Sequence, residues 1–465
     1  MTRSWGGRTI GILLFVVTGL VICDEWGLAT WALDAKPAVT LALIAVYLPQ
    51  VRASRKAFII FAALLTVFLA ATNPAWRTTV LAALDTTAFI AAFFTALTIL
   101  KSAAQTSPAI RRAGRFLAGQ PPGRRYLALT AGGQAFTLLL NYGSLQLLGA
   151  MAVSSAAEEQ NPEIRAIRMR RMLLAIERGL ISTLPWSPLS FAVAISTATV
   201  PGTSWAGILL PSMVTGLIAA GTGWALDTIF KPKVSSSRPT RSAPPEGSWA
   251  TMAPLALLLA ILVVSVGTLH ELTSVRIVGL VTVIVPAMAT GWMLLQHRHD
   301  RPLQSVGRRY KTYFFEELPA FSGEMTLIMM AGYIGTVGAA VLAPVLNDLG
   351  LDLSLLPTWV LLVGFVWIIP VLGQLAMNPI LAVTLIGPFI PSAETLGVSP
   401  TAVVVALTAG WAISGASSPF TATQLLLAHH AGVSAWSVGL RWNGLFTLTC
   451  LVLLSAWVLV YAYVF

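Results

Sequence analysis

Long apolar runs dominate the chain and are separated by short polar segments. Many of these runs can cross a hydrocarbon core of about 30 Å as an α-helix. The pattern predicts spans at 9–23, 37–50, 57–72, 78–100, 172–199, 205–230, 250–269, 274–295, 322–346, 400–428 and 434–463. The expected fold is therefore an all-α polytopic membrane protein with about 11 transmembrane helices.

Two further apolar ranges, 126–153 and 358–391, have polar or helix-breaking residues near their middles. The first contains Asn141-Tyr142-Gly143-Ser144. The second is interrupted between Pro370 and Pro379, where Gly373-Gln374 and Asn378-Pro379 occur. A non-helical turn at membrane depth is tolerated where it faces protein or water. Both ranges are therefore predicted to be re-entrant hairpins that enter and leave the membrane on one side.

Two of the predicted spans contain matching breaks. Ser182–Pro188 interrupts the span 172–199, and Ser414–Pro419 interrupts the span 400–428. A shift of 231 residues (418 − 187) superposes Gly179 on Gly410, Ser187 on Ser418, Pro188 on Pro419 and Trp205 on Trp436. Matched broken helices in the two halves of a membrane protein point to a transporter binding site.

Each Ser-Pro pair is predicted to begin a new half-helix. Serine is a favourable N-cap and proline a favourable first helical residue, so Ser187-Pro188 and Ser418-Pro419 fit this place. The free N–H groups of such a terminus favour an anion by about 0.3–2 kcal/mol. Two alternatives stay open: the prolines only kink the helices, or the carbonyls before each break hold a sodium ion.

The breaks and hairpins divide the chain into two similar halves. Residues 1–36 form a first helix and an outer loop, 37–230 the first repeat, and 250–465 the second repeat. Segment 231–249 is rich in Ser, Pro and cationic residues, which indicates a flexible cytoplasmic linker. Because the hairpins 126–153 and 358–391 open on opposite sides, the repeat is predicted to be inverted.

Charge supports this layout. The 465 residues are 56% hydrophobic and 10% charged, with a net charge of +11. Most cations, including Arg124, Arg165 and Arg178, fall in segments on the side of the N-terminus, whereas Lys36 falls on the other side. The positive-inside rule therefore predicts a cytoplasmic N-terminus in the inner (plasma) membrane. The basic segments are explained by topology, so no nucleic-acid partner is expected. Two distant cysteines suggest neither a disulfide nor a metal site.

Two acids lie at corresponding places in the halves, Asp85 in the fourth span and Glu324 in the ninth. An intramembrane acid is a functional hypothesis by default. Asp85 and Glu324, with the break residues Thr183 and Ser414, are the candidates for coupling to Na⁺ or H⁺. No other cofactor is expected.

A first helix followed by two inverted repeats, each with a re-entrant hairpin and a discontinuous helix, resembles the ion transporter superfamily. That superfamily includes the divalent-anion/sodium symporters, which are similar in placing a Ser-Asn-Thr signature at each hairpin tip. Only the asparagine carries over here, as Asn141 and Asn378. The resemblance implies a homodimer that works by an elevator motion.

The expected function is secondary active transport of a small, anionic solute such as an organic acid or an oxyanion. The candidate substrate-binding residues are Asn141, Gly143, Ser144, Ser187, Pro188, Asn378, Pro379, Ser417, Ser418, Pro419 and Thr421. A cation/proton antiporter using Asp85 or Glu324 is the alternative within the same class. A channel is disfavoured by the paired broken repeats. An intramembrane enzyme is disfavoured because the spans lack nucleophile and metal motifs.

Overall fold

The structure is a computed structural model that describes residues 2–105, 107–232, 247–273, 275–299, 301–350 and 352–465. Those residues form helices and no β-strand, which confirms the all-α prediction. The α-helices are α1 (Thr2–Glu25), α2 (Trp31–Gln50), α3 (Ala53–Thr72), α4 (Trp76–Gln105), α5 (Pro108–Ala118), α6 (Pro122–Leu140), α7 (Gly143–Ala157), α8 (Pro162–Thr183), α9 (Phe191–Thr199), α10 (Trp205–Ile229), α11 (Ala253–Thr273), α12 (Ile277–Gln296), α13 (Pro302–Thr312), α14 (Leu318–Ala320), α15 (Ser322–Asp348), α16 (Thr358–Gln374), α17 (Pro379–Ile386), α18 (Ala393–Leu396), α19 (Pro400–Ser417), α20 (Ala422–Ala431) and α21 (Gly444–Val464).

Ten helical segments in the described ranges are long and apolar enough to cross a membrane. The polytopic membrane fold is therefore confirmed, with one fewer long span than the pattern predicts. The difference lies at 172–199, where the arginine-rich α8 ends at Thr183 and α9, which begins at Phe191, has only nine residues. The predicted linker 231–249 falls mostly on 233–246, which lies outside the described residues.

The chain folds as two compact units. Unit 1 comprises Met1–Ala103, Val264–Leu356 and Ile380–Pro391. Its described part contains α1–α3, most of α4, α12, α13 and α15. Lys36 corrects one sequence prediction. It was assigned to an outer loop, but α2 already begins at Trp31, and the Lys36 side chain is buried between the carboxylates of Asp24 and Asp85.

Unit 2 comprises Ala104–Val263, Pro357–Pro379 and Ser392–Phe465. It contains α5–α10, α16 and α19–α21, and so includes both predicted broken helices. Its core is formed by α19, which is buried along nearly its whole length. Glycines allow other helices to approach α19 closely: a Cβ atom added to Gly410 would lie 2.6 Å from the carbonyl oxygen of Phe365 in α16.

The helices are interrupted at both predicted hairpin tips, although α16 belongs to unit 2 and most of α17 to unit 1. α6 and α7 are joined at Asn141-Tyr142, where Asn141 has a φ of 49°. Asparagine tolerates this left-handed region better than most side chains. α16 ends at Gln374 and α17 begins at Pro379, so the second interruption also lies in the predicted interval. The re-entrant path of either pair through the membrane stays a prediction, as does the inverted repeat.

Candidate functional site

The first break lies between α8 and α9. Ser190 is the N-cap of α9, and its Oγ accepts a hydrogen bond from the Ala192 N–H at 3.1 Å. Ser187 Oγ instead accepts the Leu189 N–H at 3.1 Å, which makes a tight turn before the helix. The prediction that Ser187-Pro188 begins the half-helix is therefore wrong by three residues. The Ser187 hydroxyl is used in the turn, and Ser190 supplies the cap.

The second break lies between α19 and α20. Ser418 Oγ donates to the carbonyl oxygen of Gly373 at 2.7 Å, and α20 begins only at Ala422. Ser418-Pro419 is therefore also three residues too early as a helix start. Thr421 occupies the N-cap position but makes no side-chain cap bond, because its Oγ1 donates to the carbonyl oxygen of Ser418 at 2.8 Å. Ser190 and Thr421 are separated by the same 231 residues (421 − 190) as Ser187 and Ser418.

The carbonyl groups freed at the first break accept hydrogen bonds from tryptophan side chains. Trp186 Nε1 donates to the carbonyl oxygen of Ser182 at 2.8 Å. Trp205 Nε1 donates to the carbonyl oxygen of Trp186 at 2.9 Å. Trp436, which corresponds to Trp205 in the second half, is exposed and packs edge-on against Phe420. The hydrogen bond that Trp205 donates at the first break therefore has no equivalent at Trp436.

Gln424 satisfies the carbonyl groups at the second break. Its Nε2 donates to the carbonyl oxygens of Gly415 and Ala416 at 3.0 and 2.7 Å. The same amide group donates to Glu177 Oε1 in α8 at 2.5 Å. A Cβ atom added to Gly415 would lie 2.9 Å from Ile181 Cδ1. The end of α19 therefore packs directly against the end of α8, and the two breaks are adjacent.

A buried polar quartet, formed by Glu177, Arg178, Gln424 and Asn443, lies beside the second break. Arg178 Nη1 donates to Glu177 Oε2 at 3.1 Å, and Arg178 Nη2 donates to Asn443 Oδ1 at 2.5 Å. Asn443 Nδ2 donates to both oxygens of Glu177, at 3.0 and 3.1 Å. The guanidinium carbon of Arg178 also lies 3.5 Å from the ring centre of Phe446. A buried ion pair of this kind is stable only when its remaining groups are hydrogen-bonded.

The sequence interpretation missed this quartet. Arg178 was counted among cytoplasmic cations, but it is 4% exposed and lies inside unit 2. Glu177 is 0% exposed and was not considered among the intramembrane acids. The acid-base pair inside the predicted span 172–199 was the available signal, because charged residues in a span face protein partners rather than lipid.

Several buried polar atoms near the second break have no hydrogen-bond partner among the described residues. They are Gln374 Oε1, Ser414 Oγ and Gln424 Oε1. Gln374 Nε2 donates to Ser417 Oγ at 3.3 Å, and a Cβ atom added to Gly373 would lie 2.4 Å from Ser414 Oγ. The C-terminal end of α16 therefore packs against this break. Buried polar groups normally have hydrogen-bond partners. These unpaired atoms are therefore candidates for contact with a polar solute.

At the α6–α7 turn, Asn141 Oδ1 is also buried and unpaired. Gly143 and Ser144 lie in the first turn of α7 and are buried. Ser144 Oγ donates to the carbonyl oxygen of Asn141 at 2.7 Å and lies 3.0 Å from Thr137 Oγ1. Ser144 therefore stabilises the turn, whereas Asn141 has an acceptor atom available.

The other predicted residues have structural or separate positions. Thr183 is buried, and its Oγ1 donates to the carbonyl oxygen of Gly179 at 2.7 Å. Pro188 and Pro419 are buried within the two breaks. Asn378 and Pro379 are half-buried at the start of α17.

The two predicted coupling acids belong to unit 1 and not to unit 2. Asp85 forms an ion pair with Lys36. Glu324 is exposed in the first turn of α15. In the described ranges, no group of three His, Cys, Asp or Glu residues could hold a metal ion.

Comparison with solved structures shows the fold. The chain is similar to the YdaH transporter of Alcanivorax borkumensis, with a TM-score of 0.57 and 16% identity over 87% of this chain and 98% of that one. It is also similar to MtrF of Neisseria gonorrhoeae, described as one of a class of antimetabolite efflux pumps, with a TM-score of 0.50 and 13% identity over 89% and 96% of the chains.

No protein-family model matches the chain, and no curated protein matches it significantly. At these identities the two structures establish a shared fold and nothing finer. Both neighbours are membrane transporters, and the shared fold agrees with a multi-pass membrane protein. The resemblance to the divalent-anion/sodium symporters stays a prediction.

Proposed function

We propose that the protein is a secondary active transporter of a small anionic solute, an organic acid or an oxyanion. The observation that carries the proposal is the uncapped N-terminus of α20 at the second break. Thr421 directs its hydroxyl to carbonyl groups instead of to the first turn of α20. The first N–H groups of a helix have no intrahelical partner, and an anion is the ligand that they favour.

The hydrogen bonding of the breaks favours an anion over a cation. A sodium ion would need the carbonyl oxygens that end α8 and α19. The oxygens of Ser182, Gly415 and Ala416 already accept hydrogen bonds from Trp186 or Gln424. The first backbone N–H groups of α20, in contrast, have no side-chain cap. The unpaired oxygens of Gln374 and Ser414 add acceptors for a hydroxyl or a protonated group of the solute.

The remaining features of the mechanism follow as parts of the same proposal. Unit 2 carries the solute in an elevator-type movement, driven by a Na⁺ or H⁺ gradient, in a homodimer of the plasma membrane with a cytoplasmic N-terminus. The Glu177–Arg178 pair is neutral in sum, so it holds α20 in place without repelling an anion. Unit 1 holds Asp85 paired with Lys36, which leaves the antiporter alternative without a free carboxylate at that position.

A thermal-shift screen of the purified protein tests the proposal. The panel contains mono- and dicarboxylates, inorganic oxyanions and matched neutral analogues, each with sodium and with potassium. We expect at least one anion to raise the unfolding temperature more than its neutral analogue does. The same anion should show counterflow in proteoliposomes, which identifies a carrier. Stabilisation by cations alone, with no anion effect, would favour the antiporter.

A further inference from the structure

A cationic region lies at the open end of the α6–α7 pair, away from the turn at Asn141. Ser155 near the end of α7 contacts the carbonyl oxygen of Ala118 at 3.5 Å, just before α6. Three arginines lie at this end: Arg125 in α6, and Arg168 and Arg171 in α8. The cluster belongs entirely to unit 2. It takes no part in the solute site proposed above.

Within the described residues, only one of these three arginines has a matched carboxylate. Arg171 makes a bidentate pair with Asp227, at 2.8 and 2.6 Å. Arg125 Nε donates to the neutral carbonyl oxygen of Gln120 at 2.6 Å, and Arg168 Nη2 donates to the hydroxyl of Ser155 at 2.9 Å. Arg125 Nη2 and Arg168 Nε are both buried and have no partner among the described residues. Two guanidinium groups therefore keep unused donors inside the protein.

The burial of Arg125 makes this arrangement informative. The residue is 7% exposed, although its neighbour Arg124 is exposed. Burial, followed by the nearby charges of Arg168 and Arg171, lowers the pKa of Arg125 to about 10. The group is still protonated at neutral pH, so its charge must be compensated. A buried charge without a counter-charge is strongly unfavourable, and Glu158, the acid whose charge acts on Arg125, is exposed.

We propose that Arg125 and Arg168 bind a phosphate-type oxyanion at this end of unit 2. The planar guanidinium fork matches phosphate oxygens and forms charge-assisted hydrogen bonds with them. Arg125 Nη2 and Arg168 Nε supply the two unused donors, and the Ser155 hydroxyl holds the Arg168 side chain through its Nη2. The oxyanion is supplied by a phospholipid headgroup or by free inorganic phosphate. The recognition chemistry is the same in both cases.

The test measures binding of two probes to the purified protein in neutral detergent. One probe is inorganic phosphate, compared with chloride at equal ionic strength. The other is phosphatidylglycerol in mixed micelles, compared with diacylglycerol, which lacks the phosphate. The variants are Arg125→Gln and Arg168→Gln, and Arg124→Gln is the matched control because it removes the same charge from the adjacent, exposed position. Each test variant should weaken binding about ten-fold or more, the loss expected from one charge-assisted hydrogen bond.

The outcomes distinguish the lipid from free phosphate, and they show whether the site exists. Binding of phosphatidylglycerol alone identifies the lipid, and binding of inorganic phosphate identifies the free anion. The proposal is overturned if the native protein binds neither probe, or if Arg124→Gln weakens binding as much as the test variants do. If the Arg125→Gln protein does not fold, the test rests on Arg168→Gln, because Arg168 is only half-buried. Unchanged binding in that variant refutes the site.

Discussion

The buried quartet beside the second break gives a sharp prediction about stability. Glu177 and Arg178 are 0% and 4% exposed, and their charges compensate each other. Glu177→Ala leaves the Arg178 charge buried without its carboxylate. Arg178→Met leaves the Glu177 charge without its guanidinium. Breaking a buried pair from one side costs about 3–5 kcal/mol, so each single variant should be strongly destabilised.

The double variant Glu177→Met with Arg178→Met removes both charges at once. Gln424 then keeps its bonds to the carbonyl oxygens of Gly415 and Ala416, whereas Asn443 loses its partners in the pair. One unsatisfied buried amide costs about 1–3 kcal/mol. The double variant should therefore be more stable than either single variant. Its loss of stability should be far smaller than the sum of the two single losses, which is about 6–10 kcal/mol.

Unfolding of the purified protein by a denaturant titration in mixed micelles measures these differences. Glu163→Ala is the control, because it removes an exposed acid from the first turn of the same helix, α8. We expect that change to cost at most about 1 kcal/mol. Additive losses in the double variant, or a Glu177→Ala protein as stable as the control, would refute the argument that the two charges depend on each other.

Three further predictions concern other regions. Trp205→Phe removes the indole donor at the first break and should cost about 1–3 kcal/mol by leaving the partly buried carbonyl group of Trp186 unpaired. Trp436→Phe at the exposed counterpart should change the unfolding midpoint little, and equal effects of the two substitutions would contradict the assignment. Cysteines replacing Arg124 and Arg165 should both react with a membrane-impermeant reagent from the cytoplasmic side, and labelling from opposite sides would exclude the first re-entrant hairpin. Asp85→Asn should leave anion affinity unchanged within about two-fold, since solute binding is proposed to rest on unit 2; a large loss of affinity would favour the antiporter.

The positions of the breaks could be predicted from sequence, but the exact helix starts could not. Proline and serine at Ser187-Pro188 and Ser418-Pro419 require the helix to stop. Each break contains a second hydroxyl residue three positions later, Ser190 or Thr421. Which hydroxyl caps the helix depends on the tertiary partners available. Ser418, for example, donates to the carbonyl oxygen of Gly373 in α16, a contact that local preferences do not contain.

The quartet was harder to predict, because its members come from distant parts of the chain. Glu177 and Gln424 are 247 residues apart, and Glu177 and Asn443 are 266 apart. α8 also carries several arginines before residue 172, so Arg178 reads as part of a cytoplasmic basic segment. Burial of these side chains is decided by the packing of α8 against α19, α20 and α21. A single sequence does not show that packing.

The central claim is that an anion binds at the uncapped N-terminus of α20, and substitution of Thr421 tests it most directly. Thr421→Asp supplies a capping carboxylate, a gain of about 0.5–2 kcal/mol that offsets the loss of the hydroxyl bond to the carbonyl oxygen of Ser418. The same carboxylate places a negative charge where the solute binds. Thr421→Asn supplies a similar cap without the charge and is the matched control.

The measurement is equilibrium binding of the anion that gives the largest shift in the screen. The account predicts that Thr421→Asp weakens binding by at least about ten-fold while the unfolding midpoint stays close to that of the native protein, and that Thr421→Asn changes affinity much less. Phosphate binding at Arg125 should be unaffected in both variants. Unchanged anion affinity in a folded Thr421→Asp protein would contradict the account.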